Sequence, residues 1–378
     1  MNNKCLFRGI WKLVHAIVGA TLVTAYWHGL LAHPVFAQGA KEGSCPPKQH
    51  SPRRNESRQD SQVAISVSFS SLYADTRKVI LTEKDLRRLA KLREVERIDF
   101  GWCKVSPEGL RHLSGLKHLR SLNLRGSGIG DAGAMYLAKC TSLRDLDIGQ
   151  VITVVPSDYT TRPAITDRGV KYLSRITTLE RLSLYGTRVS DEGLAILRDL
   201  GSLHELDISA SQVSGKGLKH LEKLPHLAAL NVSNLKISKG LSSIGRMPNI
   251  KDLNLSSTDV DGDGLRHLAS LEKLGKLDLS DTAVDDNGMV HVAKLTRLNE
   301  LSLYQTKVTD VGLRHLVGLK DIQVLDIRYT ALSDKGMADL ARMRSLRELR
   351  LYGCTGISDG AIERLRKALP ACEVVTRY

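Results

Sequence analysis

The strongest constraint on this chain is a period. From residue 95 to the C-terminus a segment of the form apolar-x-x-apolar-x-apolar returns in eleven units, its middle apolar residue falling at Ile98, Leu122, Leu146, Leu182, Leu206, Leu230, Leu253, Leu277, Leu301, Leu325 and Leu349. The steps are 24 residues, except for one of 36 and one of 23. A fixed period of this size marks a repeat array, in which each unit buries its apolar face only against its neighbours. In the unit at 298–321, LNELSLYQTKVTDVGLRHLVGLKD, Leu301 and Leu303 lie two apart, which predicts a short strand with one buried face. A turn follows, then Ser or Thr with Asp, then a stretch such as GLRHLVGL whose apolar residues recur at helical spacing. The hydroxyl suits a helix cap, and Asp191, Asp310, Asp334 or Asp359 sits where the positive end of the helix dipole favours it.

One column has no exception. Gly109, Gly133, Gly169, Gly193, Gly217, Gly240, Gly264, Gly288, Gly312, Gly336 and Gly360 hold the same place in every unit. A glycine inside a helix costs about 1 kcal/mol relative to alanine, so the column predicts close backbone approach at each helix start. A second column runs through Cys103, Ser127, Val151, Thr187, Ser211, Leu235, Thr258, Thr282, Thr306, Thr330 and Cys354. Its small hydroxyls and thiols are expected to point inward and satisfy backbone groups of the adjacent coil.

The motif LxxLxLxxTxVTDxGLxxLxxLxx resembles a leucine-rich repeat, close to the cysteine-containing and ribonuclease-inhibitor-like subtypes, over roughly residues 79–375. The resemblance implies an α/β solenoid, a curved right-handed coil with a parallel sheet on its concave face and short helices on its convex face. It further implies that the chain binds other macromolecules. A single array accounts for most of the 378 residues, so one folded domain is expected.

The flanks read differently. Residues 1–37 have a basic start (Lys4, Arg8, Lys12), an apolar run from Leu13 to Leu31, and small residues at Val35-Phe36-Ala37. That is a secretory signal, with an uncleaved membrane anchor as the rival reading because the run is long and carries His15 and His28. Residues 38–62 contain almost nothing apolar and read as a linker. The segment 63–94 is expected to cap the open end of the core, the repeats to occupy 95–368, and 369–378 to add a capping strand. The 36-residue step places an insertion near 150–162, QVITVVPSDYTTR, with Asp158 and Tyr159 as its candidate contact residues. Such insertions lie on one rim and either carry recognition or are tolerated surface loops.

Chemistry of the catalytic or metal kind is not legible. His112, His220, His267, His291 and His315 share one helix position, but neighbouring helices lie about 8–10 Å apart, too far for shared ligation near 2 Å. No metalloprotease, nucleophile-elbow, phosphate-loop or paired-cysteine motif is present. No catalytic residue, metal or cofactor is therefore expected. Cys103, Cys140 and Cys354 fall at repeat positions and read as buried free thiols, while a Cys354–Cys372 bridge between the last two coils is the alternative.

The candidate site is the concave face. Residues between the last two strand leucines, Asp278, Asp326 and Arg350 among them, should face the concavity and form a polar floor. The next outward position carries Tyr185, Tyr304, Arg328 and Tyr352, with Tyr329 beside them. Tyrosine and arginine are enriched at interface hot spots, and aromatic residues are only 4% of this chain. The net charge is +14, falling to +11 without Lys4, Arg8 and Lys12, with the excess on helices where it reads as a solvated face. A protein is the first partner implied, a glycan or envelope polymer the second. Nucleic acid is disfavoured by the acidic floor, and a membrane enters only if the N-terminal segment is uncleaved. Localisation is read as exported: periplasmic, cell-surface or extracellular. The repeats also resemble those of F-box leucine-rich-repeat proteins, which would make the chain a substrate-recognition arm of a ubiquitin-ligase-like or effector protein, although no F-box-like helical segment precedes Val63. An enzyme is the second alternative.

Overall fold

The computed structural model describes residues 65–68, 79–150 and 164–377. The signal or anchor at 1–37, the linker at 38–62, and Asp158 and Tyr159 of the insertion lie outside the described residues. One parallel sheet runs the length of the array: β1 (Ile65–Ser68), β3 (Val95–Asp99), β5 (Ser121–Asn123), β6 (Asp145–Asp147), β7 (Arg181–Ser183), β8 (Glu205–Asp207), β9 (Ala229–Asn231), β10 (Asp252–Asn254), β11 (Lys276–Asp278), β12 (Glu300–Ser302), β13 (Val324–Asp326), β14 (Glu348–Arg350) and β15 (Glu373–Val375). A separate pair, β2 (Ile80–Leu81) and β4 (Lys104–Val105), lies outside it. The middle leucines stand in register from strand to strand, as in Leu253, Leu277, Leu301, Leu325 and Leu349. The buried core is built from these and from the residue two further on, such as Leu303 and Ile327.

Helical segments return the chain from each strand to the next. Where Thr166, Ser190, Thr309 or Ser333 accepts the N–H two residues on, an α-helix of seven residues follows. The segments Glu108–Gly115, Gly217–Lys223 and Asp263–Leu268 close instead as 3₁₀ turns, with Ser106, Ser214 and Asp261 accepting the N–H groups of Gly109, Lys216 and Gly264 near their starts.

In six helices the first acid does more than favour the dipole. Asp167 accepts from the backbone N–H (2.8 Å) and hydroxyl (2.7 Å) of Ser190, the cap of the following coil. The same pair of bonds joins Asp191 to Ser214, Asp286 to Thr309, Asp310 to Ser333 and Asp334 to Ser358. Asp131 reaches Thr166 likewise and so ties its coil to the one that carries the insertion.

Two expectations about columns meet the structure differently. The glycine column is closely packed in the interior of the array, against backbone at Gly288, where a Cβ would lie 2.9 Å from Gly262 Cα, and against a side chain at Gly193, where it would meet Asp167 Oδ1; Gly360 in the last unit is open. The hydroxyl column behaves otherwise. Ser127, Thr187, Thr258, Thr282, Thr306 and Thr330 point inward but donate to the carbonyl three residues back in their own coil, at 2.5–2.8 Å. The reason is geometric: the turn places that carbonyl nearer than any group of the neighbouring coil. Cys354 differs, its thiol donating to the Ile327 carbonyl of the preceding coil at 3.0 Å. All four described cysteines are free, Cys354 and Cys372 included.

Candidate functional site

Each strand of the sheet turns two of its three central residues away from the core, and the turn that follows adds a third. The second of these, Asp or Asn in most units, is held by a local bond. Asp99, Asn123, Asp147, Asp207, Asn231, Asn254, Asp278 and Asp326 each accept, through Oδ1, the backbone N–H two residues on, at 2.8–3.1 Å. This side chain closes the strand end, as an Asx turn does. The polar floor is therefore rigid. Asp147 is pushed above the ordinary carboxylate range by burial, against the opposing influence of the Gly149 N–H and Arg125.

The next position brings the C-terminal group together. The rings of Tyr304 and Tyr329 meet edge to face at 5.5 Å between centroids, and those of Tyr329 and Tyr352 at 5.3 Å. Tyr329 is 44% exposed. The guanidinium of Arg328 lies 5.1 Å from the Tyr304 ring centroid. It also forks onto Asp326, with Nε donating to Oδ1 at 2.9 Å and Nη2 to Oδ2 at 2.6 Å. Asp326, only 3% exposed, is shared with Arg350 at 3.7 Å, and Arg350 Nε donates to Glu348 at 2.6 Å. Both arginines are thus charge-balanced within the face. The group is an aromatic platform stiffened by ion pairs, a different thing from a pair of bare cations.

Tyr329 sits at a backbone φ of +54°, and Trp102 at +67°. Bulky residues rarely adopt this left-handed region. The cause is a column: Ala210, Asn234, Ser257, Asp281 and Gln305, at the corresponding place in other units, also have positive φ. In each turn the N–H at this position donates to the next coil, as Tyr329 does to the Tyr352 carbonyl at 3.0 Å. Inter-coil bonding dictates the conformation, and at Tyr329 it presents an aromatic ring.

The remaining candidates lie apart. Tyr185 follows β7, five strands from Tyr304, or roughly 24 Å at the usual strand spacing. It carries Arg125 over its ring at 4.6 Å. Asp278 lies on β11 between the two groups. One outward column was not singled out from the sequence: the first residue of each strand. It supplies Asp145 to Arg181 (2.6 Å) and Lys276 to Glu300 (2.8 Å). Extending the two-residue alternation one step earlier would have found it.

Other chemistry adds nothing to the face. Burial pushes the Cys103 and Cys140 thiols up to about 12. His112 faces Glu83 at 3.2 Å, and no group of three His, Cys, Asp or Glu is placed to hold a metal among the described residues. Among those residues, too, no helix is long and apolar enough to cross a membrane.

Comparison with known proteins comes to the repeats themselves. The family model described as "Leucine Rich repeat" matches residues 115–138 and 246–269. No curated protein matches the sequence. An internalin from Listeria monocytogenes aligns at 22% identity over 64% of this chain and 70% of its own, with a TM-score of 0.46. A repeat protein of Leptospira interrogans aligns at 18% identity over 76% and 80%, with a TM-score of 0.49. The plant peptide hormone receptor RGFR1, solved in complex with RGF2, aligns at 13% identity over 77% and 48%, with a TM-score of 0.44.

Proposed function

We propose, from the premise that this chain is a leucine-rich-repeat protein, that it is an exported, non-enzymatic scaffold holding a protein partner on the open, concave face of its sheet. Members of the family typically act as non-enzymatic, protein-binding scaffolds. The observation that carries the reading here is the cluster of Tyr304, Tyr329 and Tyr352 on successive coils, in edge-to-face contact and braced by the Arg328–Asp326 fork. Tyrosine gives large contact area with few rotors to immobilise, and a hydroxyl at its outer end. Rings that already fix one another's orientation lose little entropy on binding. Arg350, charge-balanced beside them, completes the anchor. Tyr185 and Asp278 extend the contact along the sheet, and Asp158 and Tyr159 of the insertion are further candidate contacts. Export rests on the character of residues 1–37.

The test is cross-linking capture from the cell-envelope fraction, comparing wild type with Tyr304→Ala/Tyr352→Ala. A protein held by wild type and lost by roughly tenfold in the double variant, the loss expected of a hot-spot pair, with an unchanged melting profile, supports the reading. Identical capture by both would overturn it and transfer the contact to residues 150–162.

A further inference from the structure

Tyr304 and Tyr352 hold the same place in the repeat two coils apart, and Tyr329 stands between them on the coil of β13. Three constraints fix the middle ring. The bond from its N–H to the Tyr352 carbonyl holds its backbone at positive φ. Its plane stands at 85° to the Tyr304 ring and at 84° to the Tyr352 ring. It lies over Gly353, where a Cβ would meet Tyr329 Cδ1 at 2.6 Å, so the glycine makes room for it. The row of rings has a length that can be compared with the ways a peptide lies. Two coils span about 9.6 Å at the usual strand spacing. Polyproline II rises about 3.1 Å per residue with three residues per turn, so residues i and i+3 share a face about 9.3 Å apart. Residues on one face of a β-strand recur every ~6.8 Å, out of step with one coil and with two. An α-helix is a cylinder about 10–12 Å across and needs a groove of that width, whereas the tyrosines form a single row on an open face.

We propose that this row of tyrosines holds a proline-rich segment of a protein partner in the polyproline II conformation, lying across β12 to β14 with prolines i and i+3 on Tyr304 and Tyr352. The proposal rests on the reading that the tyrosine cluster is the anchor of the open face, and it names the chemistry of what is bound there. Tyr329, 44% exposed, lies under the two residues between the prolines. A proline ring covers an aromatic face without immobilising a rotor, and the segment is already ordered before it binds. Polyproline II has no internal hydrogen bonds, so its carbonyls can accept from tyrosine hydroxyls beside them. Charge points the same way. Arg328 and Arg350 are balanced by Asp326 and Glu348, so an acidic or basic peptide would have to compete with a partner already in place. A neutral segment has no such competitor.

The test uses the full chain and two fluorescein-labelled peptides about nine residues long, or three turns of polyproline II, read by fluorescence anisotropy. One is alanine with proline at every third position, the other alanine with proline at every fourth. Cellohexaose, a neutral sugar that also stacks on aromatic rings, is the rival probe. The expected result is binding of the first peptide, with the second weaker by roughly tenfold, the loss expected when a hot-spot contact is missed. Tyr304→Ala/Tyr352→Ala should weaken the first peptide by roughly tenfold or more. Tyr329→Ala should weaken it as well, and its backbone accepts the change, since Ala210 holds the same place at a φ of +52°. Because no ion pair forms, affinity should stay within about twofold between about 0.05 and 0.5 M salt. Equal binding of the two peptides, undiminished binding by the double variant, a steep loss with salt, or binding of cellohexaose without the peptide overturns the proposal. The two readings fail separately. If a native partner is lost in Tyr304→Ala/Tyr352→Ala but is not displaced by the first peptide, the tyrosine anchor stands and the proline-rich segment falls. If the double variant leaves capture unchanged, both fall.

Discussion

Gly288 and Gly360 occupy the same place in the repeat and have different surroundings. In the interior of the array a Cβ on Gly288 would lie 2.9 Å from Gly262 Cα, 3.0 Å from Leu265 Cδ1 and 3.2 Å from Val284 Cγ1. In the last unit a Cβ on Gly360 would meet nothing nearer than Arg364 Nη1 at 3.6 Å. The helix there also begins at a different backbone angle: Ser358, like Asp285 before Gly288, caps the N–H three residues on, but with ψ of 153° where Asp285 has −170°. The invariant glycine is thus imposed by the coil behind it. Where that contact is released, the repeat pattern persists in sequence without its physical cause.

The comparison breaks most visibly at Gly288. Valine there must displace backbone as well as side chains, and overpacking of this kind costs about 3 kcal/mol. A fall of several degrees in the melting temperature, on the order of 2–4 °C per kcal/mol, is the expected outcome of a thermal scan. An unchanged melting temperature would remove close approach as the reason for the column.

Gly336 sharpens the comparison, because its obstacle is a side chain. A Cβ would lie 2.4 Å from Asp310 Oδ1, and that carboxylate is held by the N–H and hydroxyl of Ser333. Gly336→Ala is expected to cost about 1–2 kcal/mol, since the methyl group displaces a bonded carboxylate. Asp310→Ala alone is expected to cost about as much, by leaving the Ser333 N–H without its partner. The two changes together should cost less than their sum, because removing the carboxylate opens the space the methyl needs. Strict additivity in urea denaturation would sink the claim that the glycine and the carboxylate compete for one space.

These residues also show how far the sequence could be read. The period, the strand centres from Ile98 to Leu349, and the glycine column are legible because each demands one residue type at one spacing. The helix-start acids were legible only as dipole partners. Their bonds run to a cap 23 or 24 residues on, or 35 for Asp131 and Thr166, and nothing in a local pattern announces that reach. The left-handed column at Ala210, Asn234, Ser257, Asp281, Gln305 and Tyr329 was hidden by its own diversity, since inter-coil bonding enforces the conformation and glycine is not required. On the open face, the tyrosines could be placed on successive coils. That Asp326 and Glu348 together would balance Arg328 and Arg350 depends on side-chain reach across strands, which spacing alone does not settle.

The smallest effect belongs to Gly360 and has the opposite sign. Its helix, Asp359–Ala368, is the longest among the described residues at ten residues, and glycine inside a helix costs about 1 kcal/mol relative to alanine. With no atom within 3.6 Å of the added methyl, Gly360→Ala is expected to stabilise the C-terminal coil by about 0.5–1 kcal/mol. In a repeat array a gain in a terminal unit appears first as reduced fraying of that unit. Hydrogen exchange of the amides of Leu365 and Leu369 should therefore slow while the interior coils stay unchanged. Faster exchange there would mean that the last coil packs as tightly on its predecessor as the interior coils do, and the contrast with Gly288 would be lost.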